Sequence, residues 1–340
     1  MKLVTYLPGG SSPDPQTAMY APRQALGRGG VLVNEKVYDL QAVCEWANRE
    51  GKLNGKALPA TLSSLLEFVA LSPEQRIALS ALVTRLPDSG LEAHPLESLR
   101  LRAPLEVPPS VRDFYAFEQH VKTARSNRGL GMIPEWYEFP VFYFSNHRAI
   151  YGPGDLIPYP RKSAALDIEL EIACVIGRAG RDIAAEEAAD YIAGYTIMND
   201  WSARDLQMQE MKLNMGPVKG KDFATSLGPW LVTPDELADL KTGEGASERY
   251  NMTMVARLNG KEMSRGNFKD IYFSVPQLIE RASLNTWLVP GDVIGSGTVG
   301  TGCILEQGDK RERWLQAGDE IELEIERLGV LSNKVVTGRE

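Results

Sequence analysis

The sequence is poor in the two residues that most often carry transition-metal and nucleophilic chemistry. Its 340 residues hold three histidines, His94, His120 and His147, and three cysteines, Cys44, Cys174 and Cys303. No CxxC pair and no zinc-type Cys/His spacing occurs. The cysteines are far apart, odd in number and set among mostly apolar neighbours, which fits reduced, packed thiols and not a disulfide framework. Histidine chemistry must therefore use one of three residues, and a bound metal is expected to take oxygen ligands, favouring Mg2+, Mn2+ or Ca2+ over zinc. A block of Lys and Arg is also missing, and the formal net charge is −8, which argues against a nucleic-acid partner. There is no run of about 18 apolar residues to span a membrane. The opening MKLVTYLPGG has too short an apolar run for a secretion signal. The expectation is a soluble, cytoplasmic protein with no membrane partner.

An apolar content of 43% supplies a sizeable core, and the length fits one large domain or two smaller ones. Residues 1–102 read as a separate structural α+β unit. VLVNEKVYDL (31–40) alternates like a hairpin around Asn34-Glu35. TLSSLLEFVA (61–70) has helical spacing through Leu62, Leu65, Leu66 and Val69, and SPEQ (72–75) starts a further helix with Ser72 as N-cap, Pro73 at the first position and Gln75 closing a capping box. The proline-rich LRAPLEVPPSV (101–111) reads as an extended linker. After it come short strands and glycine-rich turns, including an Asn-Gly hairpin at 259–260, with one helix expected over 181–195. Strands without regular intervening helices disfavour a doubly wound sheet. The fold class expected is α+β, mainly β, with a mixed and largely antiparallel sheet. GSGTVGTG (295–302) lacks the Lys-Ser/Thr of a phosphate-binding loop, so its glycines are expected to serve a tight corner or a close approach.

Two stretches alternate acids with apolar residues. LDIELEIACVIG (166–177) places Asp167, Glu169 and Glu171 at every second position and then turns apolar on both faces, as a strand buried on both sides does. DEIELEIERLG (319–329) has the same period through Glu320, Glu322, Glu324 and Glu326, but reads as an ordinary amphipathic strand with its acids in water. A row of carboxylates directed to an interior is costly unless something neutralises it, so the first ladder is the candidate site. Three further segments are polar where a core element would be apolar. These are DFYAFEQHV (113–121), MNDWSARDLQ (198–207) and VKGKDFATS (218–226).

Together with GSGTVGTGCILE, these segments resemble, in order across residues 110–306, the motifs of the fumarylacetoacetate hydrolase family, NDWSARDLQ most specifically. The resemblance is to a larger bacterial-type member with an extra N-terminal domain. It implies a mixed β-sandwich roll over a catalytic domain at 103–340, behind the smaller unit at 1–102, and a homodimer. It implies a divalent cation, Mg2+ or else Ca2+ or Mn2+, held by Asp113, Glu169, Glu171 and Asp200, with Thr225 near the metal. It implies His120 as the water-activating base oriented by Glu306, with Lys221 as a third catalytic residue. Tyr115, Tyr143, Gln207 and Thr298 fall on substrate-side positions, and Arg125 and Arg128 both stay open for a substrate-binding arginine. Met211 stands where the animal enzyme has a tyrosine. The activity implied is metal-dependent hydrolysis of a C–C bond in a small anionic 1,3-diketo acid, of fumarylacetoacetate or acylpyruvate type, in aromatic compound catabolism. A lyase or isomerase on the same scaffold (oxaloacetate decarboxylase, 2-keto-enoate hydratase or enol isomerase) is the alternative.

Overall fold

A computed structural model describes residues 1–7, 27–50, 53 and 57–338. The opening MKLVTYLPGG therefore falls inside it only as far as Leu7. Among the described residues the fold is α+β and dominated by a 12-stranded mixed sheet. Its main path runs through 93–95, 36–39, 28–33, 2–7, 225–232, 192–200, 170–176, 293–295, 111–114 and 142–145. A second sheet of five strands, ordered 261–267, 253–258, 320–325, 329–336 and 156–158, packs against it.

The strand Leu170–Ile176 shows why its sequence turns apolar on both faces. Ile172, Cys174 and Ile176 enter one core, shared with Met254, Leu323 and Ile325 of the five-stranded sheet. Ala173 and Val175 enter another, shared with Leu65, Phe68, Val69 and Leu79 from the N-terminal part. Each fully buried Leu or Phe contributes about 1.5–3 kcal/mol, so both faces of the strand are strongly held. The strand Lys2–Leu7 pairs directly with Thr225–Val232, and Arg100–Arg102 pairs with Lys2–Leu7. The stretch 101–111 is thus pinned and not a free linker: Ala103 and Leu105 are buried, and Arg102 Nε donates to Glu106 Oε1 at 2.8 Å.

The hairpin at Asn34-Glu35 forms, with both residues at positive φ, as does that at Asn259-Gly260. Ser64 and Ser72 each close a capping box, on helices Leu65–Val69 and Pro73–Ser80; Leu62, Leu65 and Val69 are buried, whereas Leu66 is exposed. The second acidic ladder is the strand Glu320–Ile325, with Ile321, Leu323 and Ile325 buried and its acids outward, Glu324 paired with Arg257 and Glu320 with Lys334.

The helix expected at 181–195 is corrected. Only a 3-10 turn spans Ala185–Tyr191, and the strand Ile192–Asp200 begins at once. Pairing of Ile192–Asp200 on both edges, with 170–176 and 225–232, takes residues 192–195 out of the expected helix and leaves AAEEAAD only a short turn before it. Three α-helices of the second part instead lie at Glu118–Ser126, Arg204–Met211 and Val275–Ser283. The last carries the same signal as SPEQ: Ser274 caps it, Gln277 closes the box and Pro276 stands in its first turn.

Candidate metal centre and active site

The carboxylates converge because neighbouring strands bring their ends together. Asp113 pairs in register with Tyr143 on one side and Gly295 on the other, and Asp200 pairs with Thr225. Glu171 is the second residue of Leu170–Ile176, which lies between the strands of Gly295 and Asp200. Oxygen atoms of Asp113, Glu169, Glu171 and Asp200 all lie within 4.8 Å of one another, and all four residues are buried. Gly295 is required for this approach, since a Cβ there would stand 2.5 Å from Asp113 Oδ1. Gly297, at φ 78°, turns the following loop so that its own N–H donates to Asp113 Oδ1 at 3.3 Å.

Two cations oppose this charge. Lys221 Nζ donates to Glu169 Oε2 and to Asp200 Oδ2, each at 2.5 Å. Arg204 donates Nε to Asp167 Oδ2 and Nη2 to Glu169 Oε1, both at 2.8 Å. Burial pushes Glu169 up, but the Lys221 ammonium and the Arg204 guanidinium outweigh it and hold its carboxyl well below the usual range. Burial and the charge of Asp200 raise Asp113; burial and the charges of Asp113 and Glu169 raise Glu171. Burial also raises Asp200, against the pull of Lys221. Five buried carboxylates, Asp167 included, thus face two cations. Glu171 Oε2 and Asp200 Oδ1 are buried without a hydrogen-bond partner among the described residues. Hard oxygen donors, excess negative charge and orphaned carboxylate atoms at one point are what a divalent cation of the Mg2+ or Ca2+ kind satisfies, so the residues present fit such an ion.

The third acid of the ladder, Asp167, stands apart from the cluster. Besides Arg204 it accepts the N–H groups of Ile168, Ile304 and Leu305 at 2.8, 2.7 and 3.0 Å. It thereby fixes the start of the turn Ile304–Lys310, which carries Glu306. His120 lies in the first turn of Glu118–Ser126, and its Nδ1 stands 2.8 Å from Glu306 Oε1. The other Glu306 oxygen accepts the Thr301 N–H at 2.9 Å. The Tyr115 ring meets the imidazole edge-on, with centroids 5.4 Å apart.

A cavity of about 510 Å³ opens over this arrangement. Asp113, Glu169, His120 and Lys221 line it, with Tyr115, Tyr143, Gln207 and Thr298. Arg125 and Arg128 both reach it, so the structure does not choose between them. Glu171, Asp200, Thr225 and Glu306 are not among its lining residues; they stand behind those that are. Tyr143 does more than line the wall, for its hydroxyl donates to Asp200 Oδ2 at 2.5 Å. Thr225 Oγ1 lies 3.3 Å from Ser145 Oγ. The sequence reading missed the structural role of Asp167 and Arg204, although both stand in the quoted motifs, and it missed Met208 and Arg311 on the cavity wall.

The family model for the fumarylacetoacetate (FAA) hydrolase C-terminal domain matches residues 110–336. The chain belongs to the fumarylacetoacetate hydrolase family. Over 302 residues it is 33% identical to oxaloacetate tautomerase FAHD2A, mitochondrial, of Bos taurus, covering 86% of each chain. A probable 2-hydroxyhepta-2,4-diene-1,7-dioate isomerase from Mycobacterium abscessus is similar at TM-score 0.66 and 27% identity, over 92% of this chain and 96% of that one. Fumarylacetoacetate hydrolase from Exiguobacterium antarcticum is similar at TM-score 0.68 and 25% identity, over 100% of both chains. The family thus includes hydrolases, isomerases and tautomerases, and the sheet-dominated α+β fold is theirs. Among the described residues no helix is long and apolar enough to cross a membrane.

Proposed function

We propose that this family member is a metal-dependent hydrolase that cleaves a C–C bond of a small anionic 1,3-diketo acid, of fumarylacetoacetate or acylpyruvate type, in the breakdown of aromatic compounds. The observation that carries this reading is the His120–Glu306 pair, 2.8 Å apart and beside the carboxylate cluster. A carboxylate only accepts, so the neutral imidazole keeps its proton on Nδ1 and presents a free lone pair on Nε2. That nitrogen takes a proton from water, and Glu306 stabilises the imidazolium that results. The water oxygen adds to the acyl carbon. Lys221 brings positive charge to the developing oxyanion. Arg204 Nη1 holds Gln207 Oε1 at 3.1 Å, which leaves the Gln207 amide N–H groups as donors. The tetrahedral adduct then collapses, the C–C bond breaks with its electron pair going to the leaving carbon, and that carbon takes the proton held on His120. Arg125 or Arg128 pairs with the substrate carboxylate. A Mg2+ ion, or else Ca2+ or Mn2+, held by Asp113, Glu169, Glu171 and Asp200 would supply Lewis-acid polarisation of the substrate carbonyls.

In the same proposal residues 103–340 carry the chemistry, residues 1–102 are structural, and the protein is a cytoplasmic homodimer. A second reading, tautomerisation of oxaloacetate, is favoured by the 33% identity to the bovine tautomerase; there His120 would move a proton on carbon and not from water. The deciding experiment offers fumarylacetoacetate, acylpyruvates and oxaloacetate to purified protein with Mg2+. Appearance of two carboxylic products from a diketo acid supports hydrolysis. Enol–keto conversion of oxaloacetate with no diketo-acid cleavage replaces the first reading by the second.

A further inference from the structure

Behind the His120 ring lies a third donor that the proposed reaction does not use. Cys303 Sγ stands 3.9 Å from His120 Nδ1 and 3.6 Å from Glu306 Oε1, and all three residues are buried. The remaining edge of this triangle, Nδ1 to Oε1, is 2.8 Å. In a tetrahedral zinc site, with bonds of about 2.0 Å to nitrogen or oxygen and about 2.3 Å to sulfur, neighbouring donors stand about 3.3–3.6 Å apart. The sulfur–oxygen edge is already at such a length, whereas the sulfur–nitrogen edge has to close by about 0.3 Å and the nitrogen–oxygen edge to open by about 0.5 Å. The sulfur is held in place from both sides: the Gly302 carbonyl accepts the Leu170 N–H at 3.1 Å, and Asp167 Oδ1 accepts the Ile304 N–H at 2.7 Å. Thiolate with imidazole is a soft donor set that selects zinc-like ions and offers Mg2+ little, the reverse of the all-oxygen cluster nearby. The three donors are brought together by the fold from positions 120, 303 and 306, so no zinc-type spacing marks them in the sequence. The other two thiols, Cys44 and Cys174, are buried and join no such group among the described residues.

We propose that His120, Cys303 and Glu306 form an inhibitory zinc site, separate from the four-carboxylate cluster. Zinc bonds to Sγ, Nδ1 and a Glu306 oxygen, with water in the fourth position. The thiol proton is released to solvent, and the imidazole proton passes from Nδ1 to Nε2. A ring metallated on Nδ1 and protonated on Nε2 has no lone pair for water, so turnover stops without displacement of Mg2+. That consequence rests on His120 acting as the base; the binding itself does not.

The test uses Co2+ as a spectroscopic stand-in, added to full-length protein in saturating Mg2+. One equivalent is expected to give a near-ultraviolet thiolate-to-cobalt charge-transfer band, bleached by Zn2+. Cys303→Ser, and independently Cys303→Ala, should lose the band and keep Mg2+-dependent turnover that no longer responds to zinc; Cys174→Ser should keep the band. In the wild type, one equivalent of Zn2+ should lower turnover by about 10²-fold or more, the usual worth of a general base. Absence of the band in the wild type, or its survival in both Cys303 variants, overturns the site. Zinc inhibition equal in wild type and both variants places the ion in the carboxylate cluster and likewise overturns it. A band lost in the variants with wild-type turnover unmoved by zinc upholds the site and removes His120 as the base.

Discussion

Arg204 donates Nε to Asp167 Oδ2 at 2.8 Å, in surroundings where neither side chain is more than 5% exposed. Burial lowers the affinity of the guanidinium for its proton, and the charges of Asp167 and Glu169 more than restore it. A buried pair of this kind adds little net stability against an apolar alternative, but breaking it strands a charge. The same Asp167 anchors the N–H groups of Ile304 and Leu305, so the pair joins the metal-side acids to the turn carrying Glu306.

Arg204→Met should therefore destabilise the protein by about 3–5 kcal/mol, the cost of an orphaned buried charge. Adding Asp167→Asn should recover part of that loss, because the stranded charge is gone while the one amide oxygen still accepts the Ile168 and Ile304 N–H groups that Oδ1 accepts now. Urea unfolding of both single variants and the double variant measures the coupling. Additive losses would show that the two residues do not act together.

Tyr143→Phe removes the hydroxyl that donates to Asp200 Oδ2. Partners that orient a metal ligand are worth roughly 10–100-fold in metal affinity, so Mg2+ binding should weaken by about that factor. Turnover at saturating Mg2+ should fall less. Titration calorimetry reads the first quantity and steady-state kinetics the second; unaltered Mg2+ affinity would mean that the Asp200 carboxylate is oriented without the phenol.

Metal-free protein should lose stability as pH rises. Asp113, Glu171 and Asp200 are held above the usual carboxylate range, so the folded chain binds their protons more tightly than the unfolded chain. Their contribution is full below the unfolded values near pH 4 and is lost as pH climbs through the raised folded ones. Glu169, held low, has the opposite sign, but its contribution disappears only at acid pH below the usual range. In EDTA the unfolding midpoint should be lower at about pH 8 than at about pH 5.5, and Mg2+ should reverse that order. Glu171→Gln should be more stable than the wild type in EDTA at about pH 8 and gain less from Mg2+. A wild type whose EDTA midpoint rises with pH would contradict the charge assignment.

His120→Ala should retain Mg2+ and lose about 10²–10⁴-fold in hydrolysis. Glu306→Gln should lose less, and the double variant little more than His120→Ala alone, because residues acting as a unit are not additive. Any decarboxylation of oxaloacetate should survive His120→Ala better, since it needs no base acting on water. Rates at matched metal occupancy test this, and equal loss of both activities would leave His120 as a substrate-positioning residue.

Much of the site was legible because period-2 alternation survives in a strand whatever its neighbours do. It marked Asp167, Glu169 and Glu171 as acids directed inward, and all three are buried. What it missed is that the strand breaks between Asp167 and Leu170, which separates the Arg204-bound acid from the cluster. Asp113 is the penultimate residue of one strand and His120 lies in the first turn of a helix, so the turn at Tyr115–Phe117 brings them together, and no periodicity in DFYAFEQHV marks it. The two acidic ladders could be told apart by the residues at their C-terminal ends: an apolar run in one case, Arg327 in the other. The Cys303 contact with His120 was not legible, because it joins positions 183 residues apart through a corner of the fold.

The pairing of Lys2–Leu7 with Thr225–Val232 has a consequence for any attempt to shorten the molecule. The receiving strand begins at Thr225, beside Asp200, and its far end carries Leu231 and Val232 in register with the first residues of the chain. A polypeptide cut at residue 103 would leave that rim with unpaired amides and uncover Ala173, Val175, Ala193 and Leu231, which the N-terminal part now shields. Open rims of this kind recruit other strands. The shortened form should be lost to self-association, because the strand pairing and the apolar cover that the N-terminal part supplies are removed together.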